Sequence, residues 1–177
     1  MKEVEIEHIE DERETPLKKI IIGIVGIFLI GLMLSYTIYS NGNEDILLGL
    51  IGSSTIENNI IELNGLTIQI RADKYLEIVD QYIGNEGNEI KVCLMGNRDN
   101  GKINIEDLYY PKIISQSYSH IETTGCPKET IISLHSHPNR RCMPSSQDIR
   151  SFELLKQQNP NVLVAIMCEP LRFYFYS

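Results

Sequence analysis

No charged residue occurs between Ile20 and Asn43, and no alanine occurs before Ala72. The first absence argues against a buried core helix, since such helices rarely go uncharged for so long. The second removes the A-x-A cleavage signal of a secretory signal peptide, and residues 1–14 are rich in acid besides. Ile20 to Tyr39 is almost continuously apolar. About twenty residues, at a helical rise of about 1.5 Å each, span roughly 30 Å, the hydrocarbon thickness of a bilayer. A single transmembrane helix over 20–40 is therefore expected, after an acidic tail over 1–19. Lys18 and Lys19 abut the span, and no lysine or arginine follows it until Arg71. The positive-inside rule then places the N-terminus in the cytoplasm and the rest of the chain outside. Gly23, Gly26 and Gly31 do not form G-x-x-x-G, so no helix pairing is expected from them.

Other shortages narrow the chemistry. The four cysteines include no C-x-x-C, which removes a zinc ribbon. Four histidines without an H-x-H-x-D-H run disfavour a dinuclear hydrolase site. A net charge of −8, with no basic stripe or aromatic platform, argues against nucleic-acid binding. Cys93 and Cys168 fall inside strand-like runs and read as small buried hydrophobes. Cys126 and Cys142 lie in loops on either side of one strand. They read either as a disulfide, which would fit an oxidising exterior, or as two free thiols.

The chain after the span divides in two. Residues 41–64 carry Asn-Gly, Gly-Ser-Ser and Glu-Asn-Asn clusters and read as a juxtamembrane spacer. Its Ile46 to Ile51 run either packs on the domain or dips into the membrane interface. Residues 65–177 read as one domain. Strands are expected at 66–70, 90–95, 131–135, 162–168 and 172–176, with one or two more in 103–121. Helices are expected at 72–83 and 147–157, and a turn-rich stretch at 96–101. This mixed order predicts an α/β or α+β layered domain.

The chemistry-bearing pattern is His135-Ser136-His137-Pro138, six further residues, then Ser145-Ser146-Gln147-Asp148. Residues i and i+2 of a strand project from one face, so both imidazoles can reach one ion. The loop from Pro138 to Pro144 can fold back and deliver Asp148. Two imidazoles and a carboxylate are a ligand set for one zinc with a vacant fourth position. Each fragment has a plainer reading alone. An isolated H-x-H is more often surface or core histidine, and Ser145-x-x-Asp148 before an apolar run is also a helix N-cap with an acidic N3. His120 and His8 have no matching partner and read as surface residues.

This motif resembles the signature of the JAMM (MPN-domain) metalloproteases, H-x-H-x7-S-x-x-D with an upstream glutamate. Glu89, Leu94 and Gly96 fall in the family's register for that glutamate, its hydrophobic residue and its glycine. Val92 stands where the family often has glycine, and Asn139-Arg140-Arg141 occupy a loop that often contains one. The Cys142-x-Pro144-Ser145 stretch looks most like small prokaryotic and archaeal members. The resemblance covers residues 65–177 and implies a β-sheet flanked by helices. It further implies one zinc per chain held by His135, His137 and Asp148, with Glu89 as general base and Ser145 as donor to the oxyanion. The implied activity is hydrolysis of peptide or isopeptide bonds, including the removal of ubiquitin-like modifiers from lysine, by a membrane-anchored peptidase. RadC-type relatives share the metal loop, so the signature identifies the metal site better than the substrate. A zinc amide hydrolase acting on a small-molecule or sulfur-carrier conjugate, and a non-catalytic interaction scaffold, are the other readings. Substrate choice is expected to lie in 97–129 and 138–144.

Overall fold

Alternation along the central strands sends apolar residues to one face of a sheet and polar, ligating ones to the other. The computed structural model describes residues 16–40, 43–85, 87–117 and 120–177. His8 and the acidic tail up to residue 15 lie outside the described residues. The chain forms two units, divided between Asn43 and Glu44.

Among its described residues the first unit is one helix, α1 (Pro16–Ser40). Proline is well placed at a first helical position, where its missing N–H would have no partner in any case. Mean hydropathy is 2.4 over Pro16–Thr37, and none of that stretch is buried within the chain. The helix is long and apolar enough to cross a membrane.

The second unit begins with α2 (Asn43–Gly52), β1 (Ser54–Thr55), β2 (Ile60–Leu63), β3 (Leu66–Ile70) and α3 (Ala72–Gly84). It continues through β4 (Lys91–Asp99), β5 (Lys102–Tyr109), β6 (Ile113–Ser117), β7 (His120–Thr123) and β8 (Ile132–Ser136). It closes with α4 (Ser146–Gln158), β9 (Leu163–Glu169) and β10 (Arg172–Tyr176). Eight strands form one mixed sheet in the order β1-β10-β9-β8-β4-β5-β3-β2, and β6 and β7 form a separate hairpin. The β8–β9 and β3–β5 pairs are parallel and the other pairs in the sheet antiparallel. The architecture is thus mixed α/β, with the core mostly sheet.

Val92 and Leu94 of β4, Ile132 and Leu134 of β8, and Ala165 and Met167 of β9 share one face. Helix α3 covers that face through the buried Ile78, with Tyr75, Val79 and Tyr82 packed beside it. Burying such side chains stabilises the fold by about 1.5–3 kcal/mol each. The other face carries Lys91, Cys93, Ser133 and His135, which are cross-strand partners in β4 and β8.

Three expectations need correction. The spacer over 41–64 is largely domain: α2 fills Asn43–Gly52, while β1 pairs with β10 and β2 with β3 to form the two edges of the sheet. Ser54 pairs with Phe173, a partner too remote in sequence for local composition to show. The Ile46 to Ile51 run packs on the domain through Gly49, where a Cβ would come within 2.8 Å of Cys142 Cβ. Arg172 secures it by donating to the Leu50 carbonyl and the Ser53 hydroxyl.

The turn expected over 96–101 is mostly strand, since β4 runs on to Asp99. Its polar side chains pair across strands, Asn97 donating to Glu106 and Asn104 to Asn97. Gly96 sits at an irregularity in the β4–β5 register, where a Cβ would run into the Asn104 carbonyl. The cysteine reading also fails. The disulfides are Cys93–Cys126 and Cys142–Cys168, and no described cysteine is free. Strand alternation aims Cys93 and Cys168 at the site face, where the loop cysteines fold over to meet them.

Candidate metal centre

His135 lies on β8 and His137 directly after it, in extended backbone with φ −115° and ψ 137°. The His137 N–H donates to the Met167 carbonyl, which carries the strand geometry one residue further. Both imidazoles therefore face the same way, and both are buried. Pro138–Arg140 forms a single 3₁₀ turn that starts the return loop. Asn139 and Arg140 both take φ of 58°, the left-handed region that glycine enters most easily. Arg140 is held there by an ion pair with Glu169 at 3.0 Å. The Cys142–Cys168 disulfide then ties the loop to β9.

Asp148 arrives as the N3 residue of α4, through a reciprocal capping box. Ser145 Oγ accepts from the Asp148 N–H at 3.2 Å, and the Ser145 N–H donates to Asp148 Oδ2 at 2.7 Å. The Ser145 hydroxyl also donates to Oδ2, at 2.6 Å. The helix-cap reading and the ligand reading of Asp148 are thus compatible.

The three ligating groups meet. His135 Nε2 is 3.2 Å from His137 Nε2 and 3.2 Å from Asp148 Oδ1. His137 Nε2 is 3.2 Å from Asp148 Oδ2. One donor atom from each of the three residues lies within 4.8 Å of the others, and a tetrahedral ion with bonds near 2.05 Å sets its ligand atoms about 3.3 Å apart. The donor types and spacings of the triad therefore suit one zinc, with the fourth position left to water or substrate.

Charge states are compatible with a cation here. Burial pushes the His135 imidazole down to about 4, so it is neutral near pH 7 and able to ligate. Burial pushes Asp148 upward, but hydrogen bonds from both imidazoles and Ser145 outweigh it and hold the carboxyl well below the usual range. Glu89 lies 3.9 Å from His137 Nε2 and is 7% exposed. Burial raises its proton affinity, against the opposing pull of His137. Its backbone is pinned on both sides. Gln116 donates to the Glu89 carbonyl at 2.7 Å, and the Ile90 N–H donates to Ser136 Oγ at 2.9 Å.

The triad and Glu89 line a cavity of about 540 Å³. His120, expected at the surface, is half-buried in its wall and accepts from Gln147 Nε2 at 2.8 Å. Tyr176 packs edge-on against Phe152 of α4 on another side. Lys91 was not among the expected site residues. It also lines the cavity, donates to Ser133 Oγ at 2.7 Å, and is pushed down to about 8 by burial. Its signal in the sequence was its place two residues after Glu89, which sets both on one face of the sheet.

No protein-family model and no curated protein matches this chain. The chemistry of the centre follows from its own donor atoms.

Proposed function

We propose that this chain is a membrane-anchored zinc metallopeptidase of the JAMM kind, with His135, His137 and Asp148 as the zinc ligands. The observation that carries the reading is the triad: two imidazole Nε2 atoms 3.2 Å apart, each 3.2 Å from a different oxygen of Asp148, with a buried glutamate beside them. Zinc in a three-ligand site lowers the pKa of a bound water to about 7 and polarises a carbonyl. Glu89, beside the triad, would serve as the base that accepts the attacking water's proton and returns it to the leaving nitrogen when the C–N bond breaks. Its burial favours the protonated form and so suits the second half of that task. Ser145 keeps Asp148 in its ligating orientation. The products are a carboxylic acid and an amine.

In this reading α1 is the anchor and the catalytic unit lies outside the cytoplasm. Lys18 and Lys19 support that topology, and so do the two disulfides, which persist on oxidising sides of membranes. A peptide is then a better substrate than a cytosolic ubiquitin-like conjugate. The test is hydrolysis of a library of quenched peptides by the zinc-loaded full-length protein in detergent. The Glu89→Gln variant should lose about 10²–10⁴-fold in rate while keeping its zinc. Cleavage that persists in that variant at the wild-type rate would refute the assignment.

A further inference from the structure

Lys91 brings a positive charge into the cavity, where Asp148 and Glu89 are the carboxylates that act on it. Among the described residues no carboxylate forms an ion pair with its ammonium. Its bond to Ser133 Oγ uses a neutral partner and leaves two of its donors for another acceptor. Glu89 and Asp148 together balance a divalent ion, so a loaded centre leaves the lysine uncompensated. Glu122 and Arg141 also line the cavity, and both are exposed and of opposite charge.

The end of the cavity at Lys91 is also closed. Ser133 is 1% exposed, and its Oγ lies 3.9 Å from Cys126 Sγ. The Cys93–Cys126 disulfide thus walls the pocket behind the ammonium. A blind, positively charged end fits a chain terminus better than a polypeptide running through. We propose that Lys91 and Ser133 form an anion subsite for the free carboxylate of a peptide that ends inside the pocket. This rests on the metallopeptidase reading and narrows its substrate class. Water adds to the carbonyl next to the terminal residue, the C–N bond breaks, and the leaving nitrogen gains the proton. The products are a shortened peptide and a free amino acid.

The test is calorimetric binding of N-benzoyl-glycylglycine and of its C-terminal carboxamide to full-length, zinc-loaded Glu89→Gln protein in detergent. The acid should bind at least about tenfold tighter than the amide, as a charge-assisted hydrogen bond implies. Adding Lys91→Met should erase that difference, with zinc content and circular dichroism unchanged. Lys91→Arg should restore part of it. Equal binding of acid and amide to the parent protein would overturn the subsite, as would a preference that survives Lys91→Met. A preference that depends on Lys91, in a wild-type chain that cleaves no peptide, would support the subsite and overturn the peptidase reading.

Discussion

The Ser145 hydroxyl donates to the Asp148 carboxylate at 2.6 Å, so one pair both caps α4 and fixes a candidate metal ligand. Ser145→Ala should lower the stability of the metal-free protein by about 1 kcal/mol through the lost cap. It should also weaken zinc binding by about 10–100-fold, as the loss of a partner that orients a ligand does. Thermal unfolding and a zinc-competition titration separate the two effects. Normal zinc affinity with reduced stability would leave Ser145 as a cap alone.

The Cys142–Cys168 disulfide joins positions 26 residues apart and holds the metal loop on β9. Replacing both with serine should lower stability by about 3 kcal/mol, the scale expected for a loop of this length. Zinc affinity should fall with it, because Asp148 lies beyond the freed loop. Peptide mapping of the non-reduced protein gives the direct check. Recovery of a Cys126–Cys142 linkage would contradict the arrangement described.

Acid should destabilise the metal-free protein through His135. Its folded pKa, about 4, is depressed from the ordinary 6.5, so the unfolded chain binds the proton more readily between those values. Stability rises with pH wherever the unfolded state binds more protons. The histidine's contribution is therefore fully present above about 6.5 and is lost as the pH falls towards about 4. Denaturant unfolding at stepped pH should show that decline, and a His135→Phe variant should show less of it. A wild-type profile flat from pH 7 to 4.5 would count against the burial of the imidazole.

Some of this architecture could be read from local pattern. His135 and His137 gave themselves away by strand alternation, and Asp148 by its place in a capping box. Helix α3 and strands β3 and β10 lie where they are expected, and β3 buries Ile68 and Ile70 by alternation. The apolar stripe of α3 expected at Leu76, Val79 and Ile83 does not hold: Leu76 and Ile83 are exposed, and the helix meets the core through Tyr75, Ile78, Val79 and Tyr82. The 96–101 stretch is misread beside its own hairpin partner β5, but the other misreadings involve partners distant in the chain. The edge strands β1 and β2 look like spacer until β10 and β3 pair with them. Cys93 and Cys168 look like core until the loops bring Cys126 and Cys142 across the face. Lys91 looks like an interruption in an apolar strand until Ser133 is seen opposite Cys93, within its reach. Alternation shows which face a side chain takes, but not what stands across from it.

The most direct test is the zinc content of the full-length protein in detergent, measured by plasma mass spectrometry for wild type, Asp148→Asn and Glu89→Gln. One zinc per chain is predicted in wild type and in Glu89→Gln, with loss in Asp148→Asn. A folded wild-type chain that takes up no zinc would contradict the assignment of the centre.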